Sequence, residues 1–393
     1  MRALARKRGS EEAHAVMHAI LIDSSNIGGA ERRALNIFRG FQSRGHDIGL
    51  FVSGRLFKLV SDTYPEFSKN MIIYDDYEYW SRHFEKGRRF PYVREAVGLA
   101  AVERHVKARH LNRLFSRYGV DLVHIFLERF AGAGVSVRKV YELTSPDYVD
   151  IVRAFPRSYL EEIDAFTAVS GSVGARAAAF LPSDRLHEAP IAYFDADSTP
   201  DWSPADKTDL VTFAHRFLPR KNGLLFARAC VRFLERNPGW SVAMHGRGPE
   251  ESAIAETLAP FIAAGRVSFG HRRDLSDTLK ATRVFVSLIE PDNYPSQSVL
   301  EAMSCGAAIL VSDTGESAAR FVDGNGAVTA LTVEDVCARL EALIADRGAL
   351  DAMGARSARI VRERYDKGVY LDYLGDLYGR VAAAPPRAAG RSA

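Results

Sequence analysis

The stretch from Glu290 to Gly306, EPDNYPSQSVLEAMSCG, gathers more potential chemistry than any other part of the chain. A turn rich in proline and serine lies there between an apolar strand pattern and a helical one. The backbone N–H groups of Ser296, Gln297 and Ser298, at the start of that helix, are therefore available to an anion. Glu301 follows in the first turns, where its carboxylate could accept both hydrogens of a ribose diol. The same spacing, Ser298-Val299-Leu300-Glu301, also fits a capping box in which Glu301 only reaches back to its own helix. Local spacing leaves both readings open.

Arg216 and Lys221 stand five apart across Phe217-Leu218-Pro219-Arg220. From a loop and the start of the next helix both can reach a diphosphate, Arg216 with a planar fork and Lys221 with a point charge. Solvated surface charge is the plain alternative. Gly246-Arg247-Gly248 is a weak phosphate motif, since a lone GxG after a strand is common. Gly28-Gly29-Ala30-Glu31-Arg32 opens the first helix, where two glycines admit a ligand close to the backbone or simply make a tight turn. The third glycine of a dinucleotide fingerprint is missing and no acid ends the second strand at Val52, which argues against hydride transfer.

These residues need strand ends and helix starts to hold them, and the chain supplies such elements in alternation. Met17–Ile22 reads as a strand, 30–44 as a helix with Ala34, Ile37, Phe38 and Phe41 on its apolar stripe, and Ile48–Val52 as the next strand. Further strands are expected at 71–74, 122–126, 137–143 and 166–170. After a polar stretch rich in Asp, Ser and Pro at 195–207 the pattern restarts. Strands are expected at 210–214, 240–245, 284–288 and 308–311, with helices at 224–235 and 296–305. Alternation of this kind predicts an α/β chain of two Rossmann-like domains with parallel sheets, ligands binding at the carboxyl ends of the strands.

The totals agree. A chain of 393 residues is long for one core and suits two domains. Cys230, Cys305 and Cys337 have no metal-ligand spacing, which fits a reducing, cytoplasmic setting. A net charge of +3 does not argue for nucleic acid, and no apolar run is long enough for a membrane span. Between Arg82 and Arg117 basic residues interleave with Phe84, Phe90, Tyr92, Leu111, Leu114 and Phe115. Such a region either contacts anionic lipid peripherally or is a solvated helix.

The C-terminal half resembles the glycosyltransferase family 4 type. The resemblance rests on Arg216 and Lys221, Gly246-Arg247-Gly248-Pro249, Val267-Ser268-Phe269-Gly270, the run from Asn293 through Tyr294 to Met303, and Asp313-Thr314-Gly315-Glu316, in the family's order. It implies a GT-B fold, a nucleoside diphosphate sugar as donor, transfer with retention, and Glu301 on the ribose. The Gly28-Gly29 loop resembles the family's N-terminal loop. One departure is plain: the family carries two glutamates with seven residues between them, and counting back from Glu301 in that way reaches Asn293. Asn293 can hydrogen-bond a sugar hydroxyl but carries no charge, so either the donor sugar is gripped differently or Glu290 or Asp292 compensates. Where family members place a histidine after an N-domain strand, this chain has Tyr141-Glu142-Leu143, which makes Glu142 a candidate for sugar or acceptor contact. His124 reads as a satisfied structural histidine.

The domains expected are a loose leader at 1–14, an acceptor domain at 15–195, a linker at 196–208, a donor domain at 209–364, a helix crossing back at 365–382 and a disordered tail at 383–393. Arg216, Lys221, Asn293 and Glu142 are the expected catalytic residues. Glu301, Ser296, Gln297, Ser298, Tyr294, Gly246, Gly248, Gly28 and Gly29 are expected at the donor. No cofactor or metal is expected, because Arg216, Lys221 and helix N-termini neutralise the diphosphate. The acceptor would be a glycan, a lipid-linked sugar or a small molecule. A nucleotide-sugar epimerase and a non-catalytic sugar-nucleotide binder are the competing readings.

Overall fold

A computed structural model describes residues 17–24, 27–74, 99–127, 135–292 and 294–385, with side chains from residue 106 onward in the helix Leu99–Tyr118. The expected leader, most of the expected tail, Asn293 and residues 82–98 of the basic region lie outside them. The chain forms two compact units, one of residues 1–142, 154–166 and 377–393, the other of 143–153 and 167–376.

The first sheet holds seven strands. They are β1 (Met17–Ile22), β2 (Ile48–Val52), β3 (Met71–Ile73), β4 (Val120–Phe126), β5 (Arg138–Leu143), β6 (Ala165–Ala168) and β7 (Leu186–Glu188), in spatial order β3-β2-β1-β4-β5-β6-β7. β1 pairs in parallel with β2 and with β4. The six strands of the second sheet are β8 (Leu210–Ala214), β9 (Ser241–His245), β10 (Val267–Gly270), β11 (Val284–Ser287), β12 (Ala308–Ser312) and β13 (Gly326–Thr329). Their order is β10-β9-β8-β11-β12-β13, and every neighbouring pair is parallel.

Parallel strands covered on both faces must be apolar throughout, and β2, β6, β11 and β12 are buried at every position. In the second sheet the strand order reverses between β8 and β11. Chains leaving those two neighbours turn to opposite faces, opening a crevice at their carboxyl ends. Arg216 and Lys221 follow β8, and Glu290 to Ser298 follow β11, so the order of strands alone brings the two expected motifs to one place.

The polar stretch after β7 is anchored rather than loose. Trp202 Nε1 donates to the Ser304 carbonyl at 2.8 Å, and its ring covers Gly306, where a Cβ would come within 2.2 Å of it. Lys207 Nζ donates to the carbonyls of Thr282 (2.8 Å) and Cys305 (2.5 Å) and lies 4.8 Å from the centre of the Trp202 ring. Burial pulls its pKa down to about 8. The final helix, Lys367–Ala383, ends in the first unit, where Tyr378 packs edge-on to His18 and against Phe41.

Candidate active site

The end of β8 is pinned on both sides of Arg216. His215 N–H donates to the His245 carbonyl (3.1 Å), Phe217 N–H to the Arg247 carbonyl (2.8 Å), and Glu250 N–H to the Phe217 carbonyl (3.3 Å). Phe217 is fully buried and stacks on Phe269 with ring centres 5.7 Å apart. Arg216 is exposed between these anchored neighbours. Gly246 and Gly248 make the pinning feasible. A Cβ on Gly246 would lie 2.0 Å from the His215 carbonyl oxygen, and one on Gly248 would lie 2.2 Å from that of Phe217. Both glycines thus have a steric reason for being glycine that needs no phosphate.

Lys221 closes the single turn Pro219–Lys221, its N–H bonded to the Leu218 carbonyl at 2.8 Å. The next residue, Asn222, is left-handed at φ 54°, a conformation its short amide tolerates. Its Nδ2 donates to the Leu288 carbonyl (2.9 Å), and Glu290 N–H donates to the Arg220 carbonyl (3.0 Å). The loop after β8 is therefore tied to the loop after β11. Burial, followed by the nearby charges of Arg220 and Arg216, brings the Lys221 amine down to about 7.

The helix after β11 runs Gln297–Ser304 with Ser296 as its N-cap, one residue inside the expected start. Its third position is Val299 rather than Glu301, so the capping box is not formed and that alternative falls. Val299, Leu300, Ala302 and Met303 are buried, while Glu301 is half-buried. Ser298 Oγ stands 3.2 Å from Ser296 Oγ and 3.3 Å from His215 Nδ1, and Gln297 Nε2 donates to the Tyr193 carbonyl at 2.8 Å. His215 is a site residue that sequence reasoning missed; its place beside Arg216 was the available signal. Burial, then the charge of Lys221, holds its pKa well below the usual histidine range, so it is a neutral imidazole.

Asp292, one of the two residues that could compensate for Asn293, is committed to its loop. Its Oδ1 accepts from the N–H groups of Tyr294 (3.0 Å) and Glu316 (3.3 Å), and Ser172 Oγ donates to Oδ2. Gly315, at φ 53°, leaves room for that carboxyl: a Cβ there would come within 2.3 Å of Asp292 Cγ. Glu290 is exposed and 3.4 Å from Asn222 Nδ2. Tyr294 is buried against Phe321, its ring 5.2 Å from the Arg320 guanidinium, and so anchors the loop.

Charged residues of both signs follow the strands of this sheet, with three cations gathered after β8. Arg216, Arg220 and Lys221 follow β8, Arg247 follows β9, and Arg272 and Arg273 follow β10; Glu290 and Asp292 follow β11, and Asp313 and Glu316 follow β12. Among the described residues no cluster of His, Cys, Asp and Glu could hold a metal ion, and no helix is long and apolar enough to cross a membrane.

In the first unit, Gly28 N-caps the helix Gly29–Ser43, and its N–H donates to Glu31 Oε2 at 2.9 Å; Ser24 Oγ donates to the other carboxylate oxygen. Beside Gly29 there is open space. Glu142 is fully buried, 2.7 Å from Arg33 and 3.1 Å from His124 Nε2, while His124 Nδ1 lies 2.7 Å from Tyr378 Oη. That geometry gives Glu142 a different task from the acceptor contact expected of it. It binds the first helix, β4 and the last helix together from within. His124 is satisfied on both nitrogens.

Residues 208–346 match the family model described as Glycosyl transferases group 1. By that match this segment is a glycosyltransferase domain, and it contains all of the β8 to β13 sheet. Solved structures align over nearly the whole chain. A glycosyltransferase from Rickettsia africae is 12% identical with a TM-score of 0.71, covering 95% of this chain and all of that one. HepE from Anabaena, solved with UDP and glucose, is 15% identical at TM-score 0.69, covering 93% and 100%. Sucrose-phosphate synthase from Thermosynechococcus elongatus is 15% identical at 0.66, covering 94% and 100%. The fold is GT-B. No curated protein sequence matches the chain. In this GT-B chain the crevice between β8 and β11 falls within the matched segment, together with Arg216, Lys221, Glu301 and His215.

Proposed function

We propose that the chain transfers a sugar from a nucleoside diphosphate sugar to an acceptor hydroxyl, with retention, in the assembly of a glycan, polysaccharide or glycolipid. The observation that carries the reading is the meeting of Arg216, Lys221 and the start of the helix Gln297–Ser304 at the strand-order reversal of the second sheet, joined by His215 and Ser298. In this reading the diphosphate lies against Arg216, Lys221 and the helix N-terminus, and Glu301 accepts from the ribose hydroxyls. As the glycosidic bond breaks, negative charge gathers on the β-phosphate. Fixed cations aimed at that oxygen lower the barrier without moving. The leaving phosphate then takes the proton of the attacking hydroxyl on the same face, which gives retention without a protein nucleophile.

The cations make a metal ion unnecessary for holding the diphosphate, so activity is expected to survive EDTA. We read the setting as cytoplasmic. Peripheral membrane contact has a modest basis: Arg109, Arg113 and Arg117 are exposed at four-residue spacing on the helix Leu99–Tyr118. At about 1 kcal/mol for each basic residue near an anionic surface, this stripe supports only weak, transient contact unless a lipid-linked acceptor adds to it.

The test is a panel of UDP-, GDP- and ADP-sugars, first for thermal stabilisation and then for transfer to simple glycosides and lipid-linked sugars. A ligand at 100 times its Kd should add about 2.7 kcal/mol to stability. Uridine nucleotides come first because HepE was solved with UDP and glucose. Stabilisation by none of them, with no transfer, removes the reading.

A further inference from the structure

The helix Gln297–Ser304 has only eight residues, so its placement depends on what holds its far end. A helix ends with carbonyls that no later residue of the helix reaches. The turn that follows serves three of them. Cys305 N–H donates to the Glu301 carbonyl (3.1 Å), Ala307 N–H to that of Ala302 (3.0 Å) and Gly306 N–H to that of Met303 (2.9 Å), with Gly306 left-handed at φ 73°. The carbonyls of Ser304 and Cys305 are left over, and side chains from the polar stretch after β7 take both. Trp202 Nε1 donates to Ser304 (2.8 Å) and Lys207 Nζ to Cys305 (2.5 Å), while Thr199 Oγ1 stands 2.8 Å from Ser304 Oγ. Between Trp202 and Lys207 the chain is exposed and bends through the single turn Pro204–Asp206, so the two residues stand as the feet of a small arch on the helix end. A cation there also meets the negative end of the helix dipole.

We propose that Trp202 and Lys207 are positioning residues of the donor site, which hold the helix Gln297–Ser304 by its C-terminal carbonyls so that its N-terminal N–H groups stand at the diphosphate. The inference rests on the donor site proposed above and adds what sets its position. Lys207 Nζ also holds the carbonyl of Thr282, just ahead of β11. β11 and the helix after it are thus two arms of one loop, open at the crevice and closed at the opposite end by a single amine. The buried side chains Val299, Leu300, Ala302 and Met303 set which face of the helix turns inward, and the arch sets how far it extends toward the crevice. Each residue of helix spans about 1.5 Å, so release of the last carbonyls lets the N–H groups and Glu301 shift together. Misplacement of about 1 Å is enough to cost a reaction about 100-fold.

The test uses the full chain as wild type, Trp202→Phe, Lys207→Met and Lys207→Arg. Calorimetry well below the melting transition gives Kd for UDP, GDP and ADP and for their 2′-deoxy forms, beside a melting curve for each protein. Trp202→Phe keeps a ring over Gly306 and removes the Nε1 donor alone, so it decides the matter where Lys207→Met does not fold. Its Kd for the ribonucleotide should rise about two- to tenfold, the scale of one net hydrogen bond, and that of Lys207→Met about tenfold or more, because a charged donor is lost. Lys207→Arg keeps a cation at the helix end and should recover part of the loss. A fall in the number of folded molecules weakens both nucleotide forms by one factor and leaves their ratio alone. A displaced helix lowers the preference for the ribonucleotide, because Glu301 moves with it. Equal weakening of the two forms, or unaltered affinity in Trp202→Phe and Lys207→Met, overturns the inference while leaving the donor site standing. No binding of any of the three nucleotides to the wild type overturns both.

Discussion

His215 Nδ1 lies 3.3 Å from Ser298 Oγ, so the end of β8 and the first turn of the helix Gln297–Ser304 meet through one neutral imidazole. The contact fixes the spacing between the exposed guanidinium of Arg216 and the helix N-terminus, the two features read as a grip on one diphosphate. Ser298→Ala removes a net hydrogen bond of about 0.5 to 1.5 kcal/mol. The donor Kd should rise about two- to tenfold, with the dependence of binding on pH unchanged because the imidazole stays neutral. Calorimetry on the two proteins checks this, and an unchanged Kd makes the contact incidental.

Glu142 is the clearest departure from its sequence reading. Glu142→Ala leaves Arg33 buried without its carboxylate and His124 without one of its partners. Breaking a buried pair in this way costs about 3 to 5 kcal/mol, so the melting temperature should fall sharply. A stable variant with a raised KM for the acceptor alone would return Glu142 to acceptor contact.

Two glycines in the expected donor set now predict opposite outcomes. Gly248→Ala drives a Cβ into the Phe217 carbonyl and should either destabilise the chain or swing Arg216 away, lowering activity; Gly29→Ala meets open space. The second variant should keep its fold, with a loss of donor or acceptor binding only if a ligand approaches that backbone. Melting curves and steady-state rates for both separate the steric effect from the ligand effect. A stable, fully active Gly248→Ala protein would contradict the close approach.

How much of this was legible in the sequence depended on length and pattern. β1, β2, β8, β11 and β12 are mainly apolar and fall within a residue or two of where they were expected. β7 and β13 escaped because Leu186–Glu188 and Gly326–Thr329 have three or four residues, mostly half-buried or exposed, and no periodicity to read. The motif after β11 was visible because its turn and helix are local. The partners of Glu142 were not, since Arg33 stands 109 positions from it and Tyr378, which holds the other nitrogen of its partner His124, stands 254 positions from that histidine; only the fold brings them together. The same holds for His215 and Ser298, 83 residues apart. Tertiary packing also supplies a steric reason for Gly246 and Gly248 that their local sequence does not show.

Glu301 sits past the N-terminal capping positions of its helix, which starts at Gln297. Glu301→Gln should leave the melting temperature nearly unchanged while weakening nucleotide affinity, because an amide cannot accept from two ribose hydroxyls as a carboxylate does. A comparison of a nucleotide with its 2′-deoxy form sharpens the test. The wild type should prefer the ribonucleotide and the variant should lose much of that preference. A lower melting temperature with unaltered nucleotide preference would assign Glu301 to structure.

The central claim is that Arg216 and Lys221 stabilise charge on the departing diphosphate, and steady-state transfer by the folded double variant Arg216→Ala, Lys221→Ala measures it most directly. Arg216 is exposed and Lys221 forms no ion pair among the described residues, so the double variant should melt close to the wild type. With a matched donor and acceptor its kcat should fall at least about 100-fold, the scale seen when a preorganised charge-stabilising donor is lost, with a smaller change in donor affinity. A kcat near that of the wild type in a protein that melts normally would contradict the account and leave both residues as ordinary charges at the edge of the sheet.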